Sequence, residues 1–175
     1  IGQATMAYGY GLSMTPLQLA QAYAVLAGDG LSRPISLVRV DKPSIARRVV
    51  GPETARNVVA MLETVVTSEG TGIKANVTGY RVAGKTGTAR KVAAGGYAQD
   101  RHTAVFAGLV PATAPRLVIV VVVDEPKGGV YYGGDVAAPV FSAVAAGALR
   151  ILAVPPDAAD PVADKPLTKL ASSSP

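Results

Sequence analysis

Residues 81–90, RVAGKTGTAR, place one lysine in two incompatible chemical settings. Counted from Gly79, the residues Gly79, Gly84, Lys85 and Thr86 have the G-x-x-x-x-G-K-T spacing of a loop that wraps backbone N–H groups around a nucleotide phosphate. Read forward, Lys85, Thr86, Gly87 and Thr88 would set an ammonium, hydroxyls and a bare stretch of backbone along one strand. That second set suits acyl transfer. Thr86 offers a hydroxyl to a substrate carboxylate, Lys85 a fixed cation near it, and Gly87 lets a substrate backbone come close. Alternate strand residues point the same way, so Lys85 and Gly87 face one side and Thr86 and Thr88 the other. Strand twist, or a bulge at Gly87, must then bring neighbouring side chains to one cleft. On the triplet alone, Lys85 reads more readily as a solvated strand lysine.

The context disfavours the phosphate loop. Such a loop needs a buried strand before it, small residues inside it and a helix directly after Lys-Thr. Here GIKANVT precedes Gly79, the bulky Tyr80, Arg81 and Val82 fill the loop, and Gly87, Thr88 and soon Gly95-Gly96 follow. The run VIVVVVDE at 118–125 resembles the magnesium-binding strand of an ATPase, but reads equally as a central strand ending in a turn. An ATPase remains the weaker alternative.

The elements around this motif are legible. Thr15-Pro16-Leu17-Gln18 carries an N-cap, a proline at the first helical position and the glutamine of a capping box. Leu19, Tyr23 and Leu26 share one face of that helix, and Gly28-Asp29-Gly30 ends it. A second helix starts at Gly51-Pro52-Glu53, with Ala55, Val58, Val59, Leu62, Val65 and Val66 at core-facing spacing. Strands are expected over 82–90, 103–110 and 117–123, joined by the turn-rich linkers KVAAGGYAQDRH and PATAPR. Phe141, Val144, Ala145, Ala148, Leu149 and Leu152 mark a helix that lies across a sheet face. The fold class is therefore α+β, an antiparallel strand meander packed by helices. Residues 1–153 form the folded part, and 154–175, rich in Pro, Asp, Ala and Ser, read as a disordered tail.

Composition narrows the chemistry. The chain has 175 residues, 49% of them apolar, and a net charge of +5 without a compact basic stripe, so nucleic acid is not an expected partner. Its mean hydropathy is +0.31, and no uninterrupted apolar run reaches the roughly 18 residues of a membrane span. There is no cysteine and one histidine, His102, so neither thiolate chemistry nor a His/Cys zinc site is expected, and no cofactor is implied. His102 follows the turn-like AQDR and reads as a solvated loop histidine.

The segments ATMAYGYGLSMTPLQLAQAYAVLAGDG, GYRVAGKTGTARKV, FAGLVPATAPRLVIVVVVDEP and YYGGDVAAPVFSAVAAGALR, in this order, resemble the class B penicillin-binding proteins. The likeness spans roughly residues 1–157 and is strongest to the division-specific peptidoglycan transpeptidases of Gram-negative bacteria. It implies the C-terminal part of a serine β-lactamase/transpeptidase-like fold, in a D,D-transpeptidase that cross-links septal peptidoglycan stem peptides and is acylated by β-lactams. The family's third motif falls on Lys85, Thr86 and Gly87. Thr88 matches the residue whose N–H completes the oxyanion hole. Tyr131 and Tyr132 match an aromatic pair bordering the cleft, although packing under the Gly133-Gly134 turn would explain them equally. Lys85 and Thr88 are thus the expected catalytic residues, with Thr86, Gly87, Tyr131 and Tyr132 binding substrate. The YGYG at 8–11 is a family signature with no assigned catalytic role.

The resemblance further implies the periplasmic face of the inner membrane, with the anchor outside this chain, and division membrane proteins as partners. The family's other two motifs, S-x-x-K with the nucleophile and S-x-N, do not occur here. The N-terminal half of the same domain is therefore an expected partner, without which an apolar face and a strand edge stay exposed. A non-catalytic module binding β-lactam or peptidoglycan is the other alternative. Lacking the serine of S-x-x-K, the isolated chain is expected to form no covalent adduct with penicillin. Intact-mass spectrometry after incubation with penicillin checks this, and a stoichiometric shift contradicts it.

Overall fold

The computed structural model describes residues 2, 12–42, 44–93 and 96–158. The first described helix, α1 (Pro16–Ala27), starts as its sequence dictates. Thr15 Oγ1 accepts from the Gln18 N–H at 3.2 Å, and Gln18 Oε1 accepts from the Thr15 N–H at 2.8 Å, so two donors without helical partners are satisfied. A two-stranded ribbon of β1 (Leu31–Ser32) and β2 (Arg47–Arg48) leads into α2 (Pro52–Glu63), which buries Ala55 and Val59. Two 3₁₀ turns follow, Thr64–Val66 and Ile73–Ala75.

The centre is an antiparallel sheet of β3 (Ala83–Ala93), β4 (Gly96–Val110) and β5 (Leu117–Asp124), in the order β3-β4-β5. This is the expected meander, with a longer hairpin. Most of the linker expected between the first two strands is itself strand, Val92 pairing with Tyr97, after a register shift between Arg90 and Val92. Charge rather than apolar alternation supports this extension. Lys91 Nζ lies 2.9 Å from Asp124 and 3.0 Å from Glu125, raising the lysine pKa and lowering that of Asp124.

Each face of the sheet carries its own core. On one, Phe106 meets Phe141 edge-on with ring centroids 4.8 Å apart, joined by Val82, Val110, Ala145, Leu149 and Val154. Phe141 belongs to α4 (Ala138–Ile151), preceded by the short helix α3 (Gly133–Val136). On the other face Ala83, Leu109 and Ala112 pack with Val59 of α2 and Tyr23 and Leu26 of α1. Residues 133–151 are long and apolar enough to cross a membrane, with mean hydropathy 1.3. In this fold the stripe Phe141–Ala145–Leu149 is buried against the sheet. Val144 and Leu152, expected on that stripe, are half exposed, as is Val140, and Ile151 is largely exposed. Turns of 100° per residue put them on the flank, where no described element covers them.

The stretch expected to be tail begins with packed residues, which corrects the boundary at 154. Val154 is buried, and its carbonyl accepts from the Tyr80 hydroxyl at 2.6 Å. Asp157 Oδ1 accepts from the Arg81 N–H at 2.7 Å, and its Oδ2 from the Thr113 N–H and hydroxyl at 3.2 and 2.7 Å. Residues 159–175 lie outside the described residues, as does YGYG. The sequence signal failed because this clasp is made by polar contacts with distant turns, which leave no periodicity. Asp157 ties down the segment entering β3, so Asp157→Ala in the full-length protein should cost about 1–2 kcal/mol for exposed hydrogen bonds to a carboxylate. Urea unfolding reads this directly, and an unchanged midpoint would show that the clasp contributes nothing.

Candidate active site

In β3, Thr86 and Thr88 pair with Phe106 and Ala104 and share the sheet face that carries α4. Lys85 and Gly87 point to the opposite face, as alternation requires. Of the two devices considered, strand twist or a bulge at Gly87, the bulge is absent: register is continuous from Ala83 to Arg90. Convergence comes from the lysine itself. Its four-carbon chain bends so that Nζ donates to the Thr86 carbonyl at 3.0 Å and lies 3.4 Å from Thr86 Oγ1. As the edge strand, β3 presents every second N–H away from β4.

The glycines here answer to different demands. A Cβ on Gly84 would lie 2.6 Å from the Phe106 ring, so packing excludes a side chain there. A Cβ on Gly87 would sit at an ordinary 3.6 Å from Val105. Nothing in the described fold demands glycine at 87. Its bareness leaves backbone open to something approaching from outside.

Over the threonine face sits α3. A Cβ on Gly133 would come within 2.3 Å of the Val105 carbonyl oxygen and 2.4 Å of that of Gly87, and one on Gly134 within 2.1 Å of the Thr71 carbonyl oxygen. Only residues without side chains allow this helix to rest on backbone. The Gly133 N–H donates to Thr88 Oγ1 at 3.0 Å, and the Thr71 and Thr86 hydroxyls lie 2.9 Å apart. From outside, Lys74 Nζ reaches Asp135 Oδ1 at 2.7 Å, joining α3 to the second 3₁₀ turn. These elements enclose a cavity of about 260 Å³ lined by Thr71, Thr86, Thr88, Tyr132, Gly133, Gly134 and Asp135.

The two tyrosines part company. Tyr132 is 57% exposed and lines the cavity. Tyr131 lies behind it, rings 4.6 Å apart and hydroxyls 3.5 Å apart, a contact that raises the Tyr132 pKa above its ordinary value. Tyr131 stacks in turn on His102 at 4.0 Å and 13° between planes. His102 is therefore not a solvated loop residue: it lies in β4, only 8% exposed. Its polar sequence neighbours conceal a burial caused by a ring from a distant loop.

Of the residues read from the sequence, Thr86, Thr88 and Tyr132 line this cavity, and Lys85 reaches it only at Thr86. Gly87 contributes backbone, and Tyr131 supports from behind. The sequence did not single out Thr71, Lys74 or Asp135, and Gly133-Gly134 reads there only as a turn over the tyrosines. The only available signal was glycine beside polar residues, in Gly70-Thr71-Gly72 and Gly133-Gly134-Asp135, which marks close backbone approach. The phosphate loop is overturned, since β3 continues past Thr86 to Ala93 where a helix would be required. The strand proposed to hold magnesium is β5, whose Asp124 is engaged by Lys91.

A cationic strand edge beside paired hydroxyls can hold a carboxylate. The profile described as "Penicillin binding protein transpeptidase domain" matches residues 1–146. The chain belongs to the penicillin-binding protein transpeptidase family. It is 47% identical over 90% of its length to the peptidoglycan D,D-transpeptidase FtsI of Escherichia coli, and 46% identical over 90% to the probable peptidoglycan D,D-transpeptidase PbpC of Pseudomonas aeruginosa. It spans 27% and 28% of the lengths of these relatives. Among solved structures, the apo transpeptidase domain of penicillin-binding protein 3 from Burkholderia pseudomallei superposes with a TM-score of 0.84 at 47% identity. That match covers 90% of this chain and 48% of the other.

If the seat of α3 on β3 shapes the cleft, Gly133→Ala in the full-length protein should slow penicillin acylation about tenfold or more and lower the melting temperature, because the methyl must displace backbone. Gly87→Ala should leave the melting temperature nearly unchanged. Equal melting losses in the two variants would contradict this assignment.

Proposed function

We propose that this chain is the C-terminal half of a serine D,D-transpeptidase domain that cross-links septal peptidoglycan stem peptides and is acylated by β-lactams. The observation that supports the reading is the Lys85 ammonium beside the Thr86 hydroxyl on an edge strand, with the Thr88 hydroxyl lining the same cavity as that of Thr86. Because Thr88 Oγ1 already accepts the Gly133 N–H, its own hydrogen is left for a ligand. In the Thr71–Thr86 pair one hydroxyl donates to the other, leaving one hydrogen free in the same way. Hydroxyl donors backed by a cation suit the terminal carboxylate of a D-Ala-D-Ala peptide, and equally the carboxylate of a penicillin.

The reaction follows in two steps. The serine oxygen, supplied by the other half of the domain, attacks the penultimate carbonyl carbon. The C–N bond breaks, and terminal D-alanine leaves with the proton. An acceptor amine then forms a new C–N bond, the C–O bond to serine breaks, and the proton returns to the serine oxygen. Between these events the carbonyl oxygen carries negative charge, which the Thr88 N–H at the strand edge would stabilise together with an N–H beside the serine. Gly87 would let the peptide lie against β3 as an added strand, with Tyr132, supported by Tyr131, bordering it.

The N-terminal half of the same domain is the partner that would cover the free edge of β5 and the exposed flank of α4. The names of the relatives support peptidoglycan as substrate. From them we extend the reading to the periplasmic face of the inner membrane and to association with division membrane proteins.

Lys85→Ala in the full-length protein should slow penicillin acylation about 10²–10³-fold, the cost of removing one preorganised electrostatic group. Its melting temperature should hardly change, since an exposed lysine adds little stability. Lys85→Arg should recover only part of the rate, because a broad planar fork replaces a compact ammonium poorly. Stopped-flow acylation with a reporter penicillin measures all three proteins, and wild-type rates in Lys85→Ala would remove the motif from the mechanism.

A further inference from the structure

The cavity beside Thr86 and Thr88 holds a feature that carboxylate binding does not explain. Among the described residues that line it, Asp135 brings the one charged side chain, and that charge is negative. A bare carboxylate so near a carboxylate-binding pair would repel the donor peptide. Lys74 offsets this by holding Asp135 Oδ1 at 2.7 Å from the rim, while Lys74 itself does not line the cavity. Fixed through one oxygen, the carboxylate keeps its other oxygen as a hydrogen-bond acceptor. The Asp135 N–H donates to the Tyr132 carbonyl at 2.9 Å, so the side chain is mounted on the same turn that carries the cleft tyrosine.

An acceptor group at this place needs a ligand rich in donors. Resting on the transpeptidase reading above, the donor peptide brings a carboxylate and an amide there, whereas the second substrate brings a primary amine. By microscopic reversibility that amine attacks the acyl carbon along the path by which the amine of D-alanine left. It therefore enters the space vacated beside Thr86 and Thr88, and the cavity extends from there toward Asp135.

We propose that Asp135, positioned by Lys74, binds the amine-bearing acceptor stem peptide and so favours aminolysis of the acyl-enzyme over its hydrolysis. Asp135 takes no proton in this scheme. The amine nitrogen bonds to the acyl carbon, the C–O bond to serine breaks, and the amine proton ends on the serine oxygen. Asp135 accepts hydrogen bonds from the acceptor's amino groups and holds the attacking nitrogen in line. Lys74 acts only through Asp135.

The test uses the full-length protein with a thioester donor of the acyl-D-alanyl type and a D-amino acid as amine acceptor, with aminolysis and hydrolysis products separated by chromatography. In Asp135→Leu, close in size and without an acceptor, the ratio of aminolysis to hydrolysis should fall about tenfold or more, the loss of a hydrogen bond to a charged group. Asp135→Asn, which keeps one acceptor oxygen, should fall by a smaller factor. Penicillin acylation, which involves no amine, should fall by a smaller factor than the product ratio in both. An unchanged product ratio in Asp135→Leu overturns the proposal. So does a loss of penicillin acylation as large as the loss in ratio, which would mean that Asp135 merely shapes the cleft. Failure of the wild-type protein to react with penicillin would instead sink the transpeptidase reading itself.

Discussion

The short helix α3 rests on the bare backbone of β3 and β4, and that contact sets the geometry of everything around it. With Gly133 and Gly134 in place, peptide units lie where side chains would otherwise collide with the carbonyl oxygens of Val105, Gly87 and Thr71. The approach aims the Gly133 N–H at Thr88 Oγ1. It also carries Tyr132 to one wall of the cleft and Asp135 to another. A side chain on either glycine would lift the helix, open the cavity and release the threonine hydrogen bond together. Interlocked contacts of this kind make a site rigid at the cost of tolerating little substitution.

A second consequence concerns where the protein keeps its charge. Lys85 and Lys74 both approach the cleft from flexible chains, one folding over the strand and the other reaching in from a 3₁₀ turn. At the far end of the hairpin, Lys91, Asp124 and Glu125 form a separate network. Exposed pairs of this sort add little to stability. Their effect is positional, the first two at the cleft and the third on a hairpin that apolar alternation alone would not predict. The burial that stabilises the fold is elsewhere, in the Phe106–Phe141 contact and the layer of Val59, Ala83 and Leu109.

Much of this was legible in the sequence where local rules decide. The Thr15–Gln18 capping box, the helix begun by Pro52 and the meander of β3 to β5 all follow from caps, periodicity and turns. At the site, Lys85, Thr86 and Thr88 were readable because they sit together in one strand. What escaped detection depends on contacts distant in sequence. His102 is buried by the ring of Tyr131, the clasp of Asp157 reaches back to Arg81 and Thr113, and Thr71 meets Thr86 across the cavity. None of these leaves a period or a motif. The bulge illustrates the same limit: alternation shows that Lys85 and Thr86 diverge, but not whether backbone or side chain reunites them, and here the lysine side chain does.

The structure of the full-length protein acylated by a penicillin tests this site most directly. The adduct's carboxylate is expected within hydrogen-bond distance of the Thr86 and Thr88 hydroxyls, its carbonyl oxygen at the Thr88 N–H, and Lys85 Nζ nearby. An adduct whose carboxylate lies away from both threonines, with Lys85 turned to solvent, would contradict that placement.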